Sequence, residues 1–244
     1  MPSGPASRKE ISYSDAMSGS LQLYIENYQL FLSLSFAGAG LIILKTIVDW
    51  SGGFLGQGIS FILNPLAFGF GTLFYTALIF AVQKRHLNEK TSFFEAVQSV
   101  FPKFWRAVGA AVVFGLILIL GVLLLVIPAV YWITVLYFFM YLLVLEDKRL
   151  WDAFEASSEL VKGHFWKILV AHGLTVVITL ALIMPFYLGM WLLGLPVVFR
   201  EACIQLLWVL MMPFSVGFYY LLYIWLRETN TAAGHIAVYE KEIK

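Results

Sequence analysis

Long apolar runs alternate with short amphipathic stretches along almost the whole chain, and the lengths of both are informative. A helix rising about 1.5 Å per residue needs about 20 mostly apolar residues to cross about 30 Å of hydrocarbon. Leu30–Val48 is the first such run, interrupted by Lys45 and closed by Asp49, Trp50 and Gly52-Gly53. Phe54–Val82 contains the second, with Asn64-Pro65 near its beginning. Phe104–Ile127 is the third and Pro128–Leu145 the fourth, with Pro128 expected to mark the turn between them; Phe165–Met184 is the fifth. Ala202–Leu226 is the sixth, with a kink expected at Pro213, because a mid-helix proline removes a hydrogen bond and crowds the preceding turn. Phe186–Phe199 is apolar but broken by Gly189, Gly194 and Pro196. It reads as an interfacial or re-entrant connection, and seven spans is the rival count to six.

Three polar stretches, Ser12–Phe31, Ser92–Phe104 and Leu150–Phe165, each precede an odd-numbered span. Met17, Leu21, Tyr24, Tyr28 and Phe31 recur at three- and four-residue steps, as do Phe94, Val97, Phe101 and Phe104. Trp151, Phe154, Val161 and Phe165 form the third stripe, with Asp152, Glu155, Glu159 and Lys162 elsewhere. A helix so patterned can lie in the headgroup plane with its apolar side in the membrane. Ser12-x-x-Asp15 and Ser92-x-x-Glu95 have capping-box spacing, while Arg149 takes the matching place in the third stretch.

Asp15-Ala16, Glu95-Ala96 and Asp152-Ala153 stand at the same place in each stretch, and 32 residues separate both Ala96 from Pro128 and Ala153 from Pro185. The predicted fold is therefore an all-α polytopic transmembrane bundle of about six spans. It is built from three repeats of an interfacial helix plus a transmembrane hairpin, at approximately 12–85, 92–147 and 150–226. Residues 1–11 form a polar N-terminal tail, 12–226 a single transmembrane domain and 227–244 a C-terminal tail.

Composition makes the membrane assignment firm. The chain is 61% hydrophobic and only 13% charged, against roughly 45–50% and about 25% in soluble domains. A net charge of +1 gives no field for nucleic acid, and the single Cys203 allows no intramolecular disulfide. The polar N-terminus has no short apolar core with a small-residue cleavage site, so the first span is expected to serve as the targeting signal. If the amphipathic stretches face the cytoplasm, 14 of the 16 Lys and Arg lie on that side, and only Lys45 and Arg200 fall toward the other. On that reading both termini are expected in the cytoplasm.

Ionisable residues inside a membrane are costly and functional by default. Lys45 has two readings, a lysine snorkelling to the interface beside Asp49 or a member of a solute pathway. His172 lies inside the leaflet next to the amphipathic stretches, either hydrogen-bonded to a neighbouring helix or relaying protons; no carboxylate within a span would receive the proton. The Gly38-x-Gly40 and Gly69-x-Gly71 pairs read as close helix-packing points. Ser157, Ser158 and His164 read as part of a solvated face. No hydrolase, zincin or nucleotide-loop motif occurs, and no catalytic, metal or cofactor site is predicted. There remains an interfacial collar of Lys103, Trp105 and Arg106 with Lys162, Trp166 and Lys167. It either anchors the span ends or binds anionic lipid, a protein partner or a second copy of the chain.

The passage Ile127-Pro128-Ala129-Val130-Tyr131 through Leu145-Glu146, followed by Ala156-Ser157-Ser158, Lys162-Gly163 and Phe165-Trp166, resembles the membrane domain of some bacterial glycerophosphoryl diester phosphodiesterases. It is also similar to related stand-alone six-span bacterial membrane proteins. The likeness is closest over Ser92–Val170 and extends over Tyr13–Leu226. It implies a polytopic inner-membrane protein. These 244 residues hold no soluble catalytic domain, so phosphodiesterase activity is not carried over. Two functions follow as expectations: a non-enzymatic protein that organises membrane or binds lipid or a partner, and, as the alternative, a transporter or channel for a small or lipidic solute.

Overall fold

A computed structural model describes residues 12–51, 53–124 and 126–242, with side chains for 12–48, 58–124 and 126–231; the polar tail 1–11 lies outside it. Every described element is helical: α1 (Tyr13–Glu26), α2 (Tyr28–Ser51), α3 (Gly53–His86), α4 (Phe93–Val100), α5 (Phe104–Leu123), α6 (Val126–Leu136), α7 (Phe139–Leu145), α8 (Leu150–Val161), α9 (Phe165–Leu192) and α10 (Val197–Glu242). A 3-10 turn, Phe101–Lys103, joins α4 to α5. Six stretches are long and apolar enough to cross a membrane: Tyr28–Val48, Gly58–His86, Phe93–Leu123, Val126–Leu145, Phe165–Leu192 and Val197–Thr231. The chain is thus an all-α, multi-pass integral membrane protein. Because the spans alternate in direction, α1, α4 and α8 lie at one end of the bundle, the basal face, and the three hairpin reversals lie at the distal face.

Local chemistry explains the helix ends. Ser92 and Glu95 form a full capping box, each side chain bonding the other's backbone N–H. Ser12 also caps its helix, but it accepts from Ser14 N at 3.3 Å rather than closing a box with Asp15. Arg149 makes no side-chain cap. Gly163, just past α8, takes φ +83°, the left-handed conformation that glycine adopts at low cost after a helix.

Three expectations about the spans are corrected. Phe186–Phe199 is no separate connection: Phe186–Leu192 completes α9, Gly194 turns at φ +67°, and Val197–Phe199 opens α10. Pro128 does not make the turn between spans three and four. It sits in the first turn of α6, where a missing N–H leaves no bond unmade. Pro185 lies inside α9, so the equal 32-residue steps end at inequivalent places. Beyond Leu226 the tail continues α10 as helix to Glu242.

The centre of the bundle is the fourth span. All side chains from Phe138 to Val144 are buried, as befits a helix apolar all round, and α3, α5 and α8 pack around α7. By contrast α5 and α9 expose large apolar side chains such as Leu116, Leu120, Val177, Leu180 and Met184 to the lipid. The short helices use two different faces. Their small residues dock inward, with Ala16, Ser20, Ala96, Val100, Ala153 and Ser157 all buried. Leu21, Ile25, Phe94 and Trp151 point away from the bundle, whereas Phe154, Leu160 and Val161 of α8 pack inward, so Trp151 does not share one face with Phe154 and Val161 as the stripe predicts.

Candidate functional site

The fourth span is broken between α6 and α7 at Tyr137-Phe138. Ser157 of α8 holds the break: its hydroxyl donates to Val135 O at 2.9 Å and accepts from Phe138 N at 3.2 Å. Irregular backbone at membrane depth is tolerated only where protein satisfies its polar groups or it lines a cavity. Both conditions hold here.

A cavity of about 660 Å³ opens between α2, α3, α5 and α7. Along α3 it is lined by Asn64, Ala67, Phe68, Gly71, Thr72 and Tyr75. That spacing of three and four is one face of a helix, roughly 16 Å long at about 1.5 Å per residue. Ile42 and Lys45 line it from α2, Ala111 and Phe114 from α5, and Tyr137, Phe139 and Met140 from the break and α7. Lys45 and Asn64 stand toward the distal end; Tyr75 and Tyr137 form the floor. The walls are mainly apolar, with one ammonium, one amide and a few hydroxyls set into them. A second chamber of about 260 Å³, between α2, α3 and α10, shares Ile42 and Gly71 with the first.

Below the floor lies an aromatic and hydroxyl cluster. Tyr141 donates to Val216 O at 3.1 Å. His172 Nδ1 lies 2.6 Å from the Tyr219 hydroxyl, which donates to Thr175 Oγ1 at 3.2 Å. The Tyr137 ring packs on both His172 and Tyr219, at centroid distances of 4.5 and 4.1 Å. His172 thus links α9 to α10 through Tyr219.

At the basal face one short loop ties two sides of the bundle together. Glu146 binds the Tyr223 hydroxyl and Arg227, the latter at 2.6 Å. Its neighbour Asp147, at φ +53°, pairs with Arg106 at 2.5 Å and Lys103 at 3.5 Å. The Arg106 hydrogen bond, reinforced by the charges of Lys103 and Arg106, holds the Asp147 carboxyl below its ordinary range. Lys103 also donates to Val144 O at 2.7 Å, capping the end of α7.

The collar residues thus divide. Lys103 and Arg106 are half-exposed and pair with the exposed Asp147 of their own chain. Trp105 and Trp166 are 80% and 74% exposed, Lys162 is exposed, and Lys167 sits 5.2 Å over the Trp225 ring. His164 packs edge-on against Trp225, and burial, helped by Lys167, lowers its pKa. Asp49 is helical in backbone, but its side chain lies outside those described, and the Lys45–Asp49 pair with it.

Two further expectations change. Ser157 is fully buried and bonded across the helix break rather than solvated. Of the glycine pairs, Gly38 is a close packing point, since a Cβ there would lie 3.0 Å from Phe74 Cβ. Gly40 and Gly71 face open space and Gly69 has only ordinary contact. The cavity went unread in the sequence although its signal is present: the α3 stripe places small or polar groups at 64, 67, 71, 72 and 75, while Phe61, Ile62, Leu66 and Phe70 face away. Among the described residues no cluster of three His, Cys, Asp or Glu has the placement to hold a metal ion.

No family model matches the sequence, no curated protein is similar to it, and no solved structure matches its fold.

Proposed function

We propose that this chain is a non-enzymatic protein of a prokaryotic cytoplasmic membrane that binds an amphipathic, lipidic solute inside its bundle, as a carrier or lipid-binding subunit does. The observation that carries the reading is the cavity of about 660 Å³ beside a broken span, with apolar walls and a few convergent polar groups. Such a lining suits neither a bare ion nor a sugar, each of which needs its polar surface matched throughout. The basal face is cytoplasmic in this reading, because ten of the twelve Lys and Arg whose side chains are described lie toward it, all but Lys45 and Arg200. A threefold repeat of interfacial helix and hairpin is part of the proposal. The burial of Ala16, Ala96 and Ala153 at matching positions supports it, and the resemblance to phosphodiesterase membrane domains agrees with such an architecture.

The test is mass spectrometry of lipids that co-purify in mild detergent with the wild type and with Gly71→Leu. A Cβ at Gly71 meets nothing within 4 Å, so the new side chain grows into open cavity while helix propensity improves by about 1 kcal/mol. Bound lipid should fall several-fold while the melting temperature holds or rises. Equal lipid in both proteins would overturn the reading.

A second reading, binding of anionic lipid or a protein partner at the basal face, is favoured by the exposed Trp105, Trp151 and Trp166 beside Lys162. It calls for Lys162→Gln with Lys167→Gln to weaken sedimentation with anionic vesicles; unchanged sedimentation counts against it.

A further inference from the structure

The second chamber, between α2, α3 and α10, holds a polar group that nothing in the protein satisfies. It measures about 260 Å³; Ser35, Gly38 and Ile42 line it from α2, and Gln205, Trp208 and Val209 from α10. Helical hydroxyls in these spans donate to a carbonyl one turn earlier, as those of Ser33, Thr46, Thr72, Thr76, Thr134 and Thr175 do. Ser35 does not: it is 2% exposed and its hydroxyl has no hydrogen-bond partner. A buried hydroxyl left unbonded is costly, and a ligand group that bonds it removes that cost. The other polar side chains of the lining are accounted for, since Gln205 Nε2 donates to Thr46 Oγ1 at 2.8 Å and Trp208 is 55% exposed. No side chain lining the chamber is charged, so a carboxylate, phosphate or ammonium would be buried there without a counter-charge. A plain hydrocarbon would leave Ser35 unbonded. The volume falls below the roughly 300–1,000 Å³ of pockets that enclose a drug-sized ligand, so only a head and the first part of a chain fit inside. All three helices belong to stretches long and apolar enough to cross a membrane, so the rest of the chain passes beside Trp208 into lipid.

We propose that this chamber is a second binding site, separate from the large cavity, for an uncharged lipid whose head carries a hydroxyl or carbonyl that bonds Ser35. The two sites share Ile42 and Gly71 in their walls but stand or fall separately. The full chain in phosphatidylcholine nanodiscs is photolabelled with octadecanol bearing a diazirine near its hydroxyl, and the labelled residues are located by peptide mass spectrometry. Label should fall on 35–43 and 205–212, and unlabelled octadecanol should compete several-fold better than octadecane or octadecanoate. Ser35→Ala should lower this labelling several-fold and make alcohol and alkane compete equally, while the melting temperature holds or rises because the unbonded hydroxyl is gone. Val209→Phe, which fills the chamber, should abolish the labelling, and Ala111→Leu, which narrows only the large cavity, should leave it intact. Equal labelling of wild type and Ser35→Ala overturns the proposal, as does octadecane competing as well as octadecanol in the wild type. Stronger competition by octadecanoate overturns the uncharged head. Loss of label in Ala111→Leu shows that the probe reports the large cavity, and overturns the second site while leaving the first.

Discussion

Ser157→Ala is the sharpest perturbation available, because a single hydroxyl closes the break in the central span. Ser157 is fully buried, donates to Val135 O at 2.9 Å and accepts from Phe138 N at 3.2 Å. Removing the oxygen leaves the Phe138 N–H without its partner, at a cost of about 1–3 kcal/mol for an orphaned buried group. It also forfeits the bond to Val135 O, for which interhelical bonds in membranes average about 0.6 kcal/mol. Alanine returns up to about 0.7 kcal/mol in helix propensity. The net loss is about 2 kcal/mol, or roughly 4–8 °C in melting temperature for a chain of this size. Ser158→Ala is the internal control: its exposed hydroxyl bonds only to Glu155 O within α8, and surface changes fall within about 0.5 kcal/mol. Thermal unfolding in detergent, followed by fluorescence-detected size exclusion, reads both variants. If Ser157→Ala melts within about 1 °C of Ser158→Ala, the hydroxyl does not hold the break and the reasoning fails.

Two further predictions concern the frame around the site. Gly121→Ala should destabilise by about 1–3 kcal/mol, because its Cβ would lie 2.8 Å from Ala129 Cα and 2.9 Å from Ala129 N, backbone atoms of α6 that must move. Gly115→Ala on the same helix meets open space and should hold or raise the melting temperature; the same detergent assay compares them. For Asp147, the depressed carboxyl pKa means that the folded state favours the charged form. Its contribution is therefore present above the ordinary value of 3.8 and is lost as pH falls through the lower folded value. Melting temperature should thus carry no Asp147-dependent slope between about pH 5 and 8, and Asp147→Asn should flatten the fall below about pH 4 relative to wild type. A difference between the two slopes appearing near neutrality would contradict the pairing with Arg106 and Lys103.

The six apolar stretches and the position of the three short helices are properties of the chain itself. Bilayer thickness sets a length that Leu30–Val48 or Phe165–Leu192 satisfies wherever the other helices lie, and a capping box such as Ser92–Glu95 is complete within four residues. Hairpin placement was less legible. Pro128 and Pro185 look alike in sequence, but one is tolerated in a first turn and the other inside a continuous helix, and tertiary packing decides between these outcomes. The site was the least legible part. In a soluble protein the inward face is apolar and the outward face polar, whereas in lipid both are apolar, so periodicity no longer distinguishes a face that touches solvent from one that touches protein. Leu116 on the lipid and Phe114 on the cavity are the same kind of residue, two positions apart. Which polar groups meet was decided only in three dimensions: Asp147 reaches back 41 residues to Arg106, and Ser157 reaches 22 residues back to Val135. The gap that leaves Lys45 above Tyr75 depends on α2 and α5 flanking α3 without closing over its small and polar stripe. Single-helix patterns therefore determine that six described stretches are long and apolar enough to cross a membrane. The unfilled space between helices is a property of several surfaces at once, and no single stretch of sequence encodes it.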